Sequence, residues 1–174
     1  MGLFLLESTI DNDNRSKTAF DEKVATLEKS LEQSELIEVQ VSSDFDKAFF
    51  IVESDNEDTA KEALENQNIS VSLVKEVRIV GQDLEDAKKE KGKVNYLVEW
   101  NFPEDLTMDA YLERKKKNSV HYAEVPEVDF ARTYVCEDMT KCLCFYDAPD
   151  EDAVKRAREA VKTPLDSITE ISHD

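Results

Sequence analysis

Two stretches decide the fold when one is written under the other: "SSDFDKAFFIVESDNEDTAKEALE" at 42–65 and "CEDMTKCLCFYDAPDEDAVKRARE" at 136–159. They align without a gap. Asp44 falls on Asp138, Lys47 on Lys141, Glu57 on Glu151, Asp58 on Asp152, Lys61 on Lys155, Ala63 on Ala157 and Glu65 on Glu159, and the register continues to Glu76 on Glu170. Upstream, "LFLLES" at 3–8 resembles "NYLVEW" at 95–100, with Glu7 matching Glu99. One long unit is therefore expected twice, rather than a short-period solenoid.

Each copy predicts the same elements. In the first, residues 2–9 read as a strand. Phe20, Val24, Leu27 and Leu31 follow at helical spacing. "LIEVQVSS" and "KAFFIVES" flank a polar turn at Asp44–Asp46, which reads as a hairpin. Asp55 is the expected N-cap of a second helix, and "VSLVKEVRIV" supplies the last strand. The second copy predicts a strand at 94–101, a helix from about Thr107 to Lys117, hairpin strands at 128–136 and 141–147, a helix capped near Asp150 and ended by Pro164, and a strand from Ser167 to His173. The order β-α-β-β-α-β, twice, predicts an α+β chain of two tandem ferredoxin-like units with antiparallel sheets. Residues 1–80 form the first, 94–174 the second, and the polar segment 81–93 links them. "KAFFIVE" and "KCLCFYD" are apolar at successive positions, the pattern of strands buried on both faces. The two units are therefore expected to pack as a pseudo-dimer within a monomer, with further oligomerisation left open.

Composition narrows the function. Against 40 Asp and Glu stand 22 Lys and Arg, a net charge of −18. Such a surface repels nucleic acid and anionic lipid, both of which need cationic contacts. No apolar run approaches the roughly 18 residues of a membrane span. The N-terminus reads as a strand rather than a signal peptide. The three cysteines cannot all pair within one chain. A cytoplasmic protein with free thiols is expected.

The second copy also carries familiar strings: "NYLVEWNFPEDLTMDAY", "ARTYVCED", "CFYDAPDEDAVKRARE" and "LDSITEI". They resemble domain-of-unknown-function family 4242, small ferredoxin-like proteins of which some are described as nickel-binding or nickel-responsive. The resemblance covers residues 94 to about 172 directly and residues 2–80 only through the repeat. It implies single units that dimerise, so a fused tandem copy would stand in for the dimer. It also implies a non-enzymatic metal-binding or metal-responsive role with a nickel-type divalent ion. Cys144 falls where the family has cysteine; Cys136 and Cys142 are additions of this chain. The first copy has Ser42, Ala48 and Phe50 at the three positions.

The cysteines allow three uses: a metal site, a redox site, or core packing as small hydrophobes. Cys142 and Cys144, two apart on a strand, share a face. Cys136 lies across the hairpin and is expected close to Cys142. Three converging thiols would suit copper(I), zinc or nickel, with Asp138 and His173 as outer candidates. His121 lies roughly 25 Å from Cys136 along the strand direction and is set aside. Tyr96, Glu99, Arg132, Tyr134 and Tyr146 lie on strands of the second copy and could line a small-molecule pocket or the site of a cofactor-independent enzyme, with a structural or interaction module as the further alternative. The plain alternative is that the tyrosines edge the core and Glu99 pairs with Arg132. No phosphate loop, HExxH or GxSxG motif is present. The basic cluster Arg114–Lys117 suits a helix C-terminus.

Overall fold

The computed structural model describes residues 2–11, 15–31, 34–90 and 94–171. His173 lies outside them. The chain divides into two compact units, one built on Met1–Val77 and Leu84–Lys91, the other on Arg78–Asp83 and Gly92–His173.

The first unit holds β1 (Gly2–Thr9), α1 (Lys17–Ser30), β2 (Glu35–Val41), β3 (Lys47–Ser54), α2 (Glu57–Glu65), most of β4 (Leu73–Val80) and α3 (Leu84–Glu90). Its strands run in the order β2-β3-β1-β4, and β1 pairs antiparallel with both β3 and β4. The second unit holds β5 (Tyr96–Asn101), α4 (Met108–Asn118), a 3-10 turn (Ser119–Glu124), β6 (Asp129–Cys136), β7 (Lys141–Asp147), α5 (Glu151–Ala160) and β8 (Ser167–Glu170). Its order is β6-β7-β5-β8. Both units are thus ferredoxin-like sheets with the same β-α-β-β-α-β sequence. β3 and β7 are buried on both faces, as their unbroken apolar runs require.

The units agree in small details. A bulge interrupts β2 between Leu36 and Glu38 and β6 between Phe130 and Arg132, which are equivalent positions. Each hairpin turns through a left-handed residue, Phe45 (φ 58°) in one and Met139 (φ 59°) in the other. The turn after the second helix does the same at Asn68 (φ 61°) and Lys162 (φ 55°). L-residues adopt this backbone only when their surroundings impose it, so its recurrence marks one shared frame. The second helix is capped by Asn56 in one unit and Asp150 in the other, each side chain accepting from a backbone N–H three residues on. Asn56 displaces the expected Asp55 because it sits one residue before the first helical turn. Lys47 pairs with Glu7 at 2.9 Å and Lys141 with Glu99 at 2.7 Å. The segment 81–93, expected as a plain linker, carries α3, where Lys88 bonds Glu35 at 2.9 Å.

In each unit the helices pack on one sheet face. Phe20, Leu27, Phe50, Val52, Ala60 and Leu64 dominate that core in the first unit. Trp100, Tyr111, Cys142, Cys144, Tyr146 and Val154 occupy it in the second.

A buried polar cluster on the helix face of the second unit

Strand parity sorts the candidate residues. On β7, Cys142, Cys144 and Tyr146 point toward the helices, and Leu143 and Phe145 point away. Val135 opposes Cys142 across the hairpin, so the next residue, Cys136, points to the opposite face. The three thiols therefore do not converge. Closeness along the hairpin was legible, but the pleat sends neighbouring residues to opposite faces. Asp138 lies in the hairpin turn, where its carboxylate accepts from Thr140 N at 3.1 Å and Oγ1 at 2.7 Å. The five pocket candidates split the same way. Tyr96 and Tyr146 share the helix face, while Glu99, Arg132 and Tyr134 sit on the other. Glu99 pairs with Lys141 and accepts from Ser167 at 3.2 Å. Arg132 lies over the Phe145 ring at 5.6 Å and donates to Gln82 at 3.4 Å. His121 pairs with Glu124 at 2.6 Å.

What does come together is a polar cluster inside the helix-face core. Cys142 and Cys144 are buried free thiols with sulfurs 3.9 Å apart. Thr133 Oγ1 donates to Cys144 Sγ at 3.3 Å. Arg158 Nη1 donates to Cys144 Sγ at 3.6 Å and to the Tyr146 hydroxyl at 3.1 Å. Its Nη2 donates to the Pro164 carbonyl. The Tyr146 and Tyr122 hydroxyls are 2.6 Å apart. Arg158 is 3% exposed, and its Nε is a buried nitrogen without a hydrogen-bond partner among the described residues.

A guanidinium in a core needs a counter-charge, because an isolated buried cation is costly. Cys144 supplies it. The Cys142 S–H beside it, then the Arg158 and Lys115 cations and the Thr133 hydroxyl, hold the Cys144 thiol well below the ordinary 9.0 despite burial. Cys142, which gives up that hydrogen bond, is pushed up. Burial also pushes up Cys136, and the Thr140 hydrogen bond and the Lys141 cation only partly offset it. For Arg158, burial works against the charge, but the Cys144 and Tyr146 side more than offsets it. Burial raises Tyr122 to about 12 and pushes Tyr146 well up, so both phenols stay protonated and can donate. The two thiols are thus driven apart, with Cys144 the one favoured to ionise.

The surrounding elements fix these groups. Thr107 caps α4 by accepting from Ala110 N at 3.2 Å. The helix places Tyr111 and Lys115 one turn apart on its inner side. The 3-10 turn carries Tyr122 back over Phe130, the rings stacked at 5.3 Å. Gly81, at φ 91°, leaves room for that ring, since a Cβ there would lie 2.8 Å from Phe130. Sequence reasoning missed Arg158 and Tyr122, and read Lys115 only as part of a basic helix C-terminus. The signal existed for Arg158: the repeat aligns it with Leu64, an apolar position in the first copy.

Comparison with known proteins adds the following. Residues 96–171 match the family described as nickel responsive protein SCO4226-like. That description differs from the family number expected from the motifs and shares its nickel-responsive element. None of the curated proteins matches. Among solved structures, TA0507, provisionally described as a chlorite dismutase, is similar at TM-score 0.58 and 15% identity over 99% of this chain and 95% of its own. A mutant chlorite dismutase from Candidatus Nitrospira defluvii is similar at 0.56 and 12%, over 98% and 91%. The siroheme decarboxylase NirDL gives 0.52 and 10%, over 97% and 70%. At these identities the likeness concerns the fold. Among the described residues no helix is long and apolar enough to cross a membrane.

Proposed function

We propose that the chain is a non-enzymatic metal-responsive protein of the nickel type, and that its responding site is the Cys142–Cys144 pair. The single supporting observation is that pair: two sulfurs on one face, 3.9 Å apart, one of them held toward thiolate. Thiolate is the form that ligates soft and borderline ions. The family description of residues 96–171 points the same way.

The residues do not fit a resident four-coordinate nickel or zinc centre. Such a centre takes about four ligands, and among the described residues no group of three or more His, Cys, Asp or Glu could hold an ion. Arg158 and Lys115 also oppose added positive charge. The ion is accordingly cargo or signal, bound reversibly with ligands supplied from outside. Cys136 and Asp138 stand apart from the pair. In this reading the first unit arose with the second by duplication and kept the frame without the site.

Native mass spectrometry of the purified chain with nickel or zinc tests this. Uptake is expected, lost in Cys142→Ser and Cys144→Ser and retained in Cys136→Ser. No uptake, or uptake untouched by the first two changes, overturns it. A second reading, a small-ligand binder, is favoured by a cleft beside this cluster.

A further inference from the structure

We infer that the second unit holds a binding site for a small monovalent anion, in the cleft between α4, the 3-10 turn and the end of α5. Trp100, Tyr111 and Tyr122 wall this cleft together with Arg114, Lys115 and Arg158. Its interior has room for about 20 Å³. One water needs roughly 10–15 Å³ by the same measure. A halide or a formate-sized oxyanion fits; a phosphate ester does not.

Charge carries the inference. The chain has a net charge of −18, yet this cleft gathers three cations and no carboxylate. Asp152 and Glu159 line the adjoining open trough instead. Of the three cations, Arg158 donates to Cys144 Sγ at 3.6 Å. Arg114 lies over the Trp100 ring at 5.4 Å and donates to the Lys162 carbonyl at 2.6 Å. Lys115 lies over the Phe130 ring at 4.2 Å and shares the Cys144 sulfur electrostatically with Arg158, so the three cations outnumber the anionic group that faces them. Burial lowers its pKa, meaning its charge is held at a cost. A partly desolvated cation in a cleft with an excess of positive charge and a water-sized space gains from an incoming anion. Asn118 and Ser119 add polar groups to the lining. The inference stands whether or not the cysteine pair takes a metal ion.

Trp100 is the sole tryptophan, so intrinsic fluorescence reports on this wall alone. The full chain is titrated with potassium formate and, separately, with potassium gluconate at constant ionic strength. A saturable change with formate and none with gluconate is expected. Arg158→Leu, which installs the residue found at position 64 of the first unit, should weaken formate binding about tenfold or more, and Lys115→Gln about threefold. Identical non-saturating responses to both salts overturn the inference, as does formate binding unchanged in both variants. If Arg158→Leu does not fold, Lys115→Gln, on the half-buried side of α4, decides alone.

Discussion

The two units differ where their frames are the same. Bulges, left-handed turns, caps and the lysine–glutamate pair recur at equivalent positions. The filling of the helix face does not. Ala48, Phe50, Val52 and Leu64 of the first unit stand where the second has Cys142, Cys144, Tyr146 and Arg158, and Val39 stands for Thr133. The first unit spends this face on packing alone. In the second, the same backbone holds a thiol pair, a guanidinium and two phenols in mutual contact. Since the frame alone folds the first unit without these groups, their presence in the second calls for a chemical reason beyond stability.

Exchanging residues between equivalent positions tests that difference. The largest effect is expected from Leu64→Arg. It places a cation among Phe20, Leu27 and Phe50 with no thiolate to meet it, and should destabilise the first unit by about 3–5 kcal/mol or more in denaturant unfolding. The reverse change, Arg158→Leu, should cost far less, because Cys144 can take up a proton and become a neutral core thiol. Comparable losses in both directions would break the contrast.

A smaller effect should follow Phe50→Cys, which copies Cys144 into the first unit. Phe50 is 1% exposed, and removing its ring leaves a cavity worth about 2–4 kcal/mol. The new thiol should titrate high, as Cys136 does, since burial dominates there and no guanidinium stands at position 64. A depressed thiol at position 50 would show that the frame, not its filling, creates the thiolate.

The smallest effects concern the frame. Asn56→Ala and Asp150→Ala each remove one side-chain cap bond, at 2.8 Å in both units. Each should cost about 1 kcal/mol, and the two costs should match. A large difference would mean that the second unit's helix depends on its polar cluster for order.

Much of this was legible beforehand. The ungapped match of 42–65 with 136–159 carried the frame, because residue spacing fixes turns, caps and strand parity together. The successive apolar residues of β3 and β7 gave two-sided burial. The site was only half legible. Placing Cys142 and Cys144 on one face needed only the period of a strand. Joining Cys136 to them failed, because its face depends on the hairpin pairing of Val135 with Cys142. Arg158 and Tyr122 reach the cluster through α5 and the 3-10 turn, and a contact between elements leaves no local periodicity to read. The Glu99 partner went astray likewise: parity puts Glu99 and Arg132 on one face, but Lys141 is the residue in salt-bridge distance.

The central claim is that the second unit stores a buried thiolate on the frame that the first fills with phenylalanine. A pH titration of thiolate ultraviolet absorbance on the folded chain tests it most directly. One of three thiols should ionise well below 9.0, and that transition should vanish in Cys144→Ser and move up in Arg158→Leu. The sign for stability follows from the same direction. A depressed folded pKa gives stabilisation that is fully present above the unfolded value and is lost as pH falls through the folded one. Stability of the wild type relative to Cys144→Ser should therefore decline on acidification across that window. Three thiols all ionising at or above 9.0 would contradict the account.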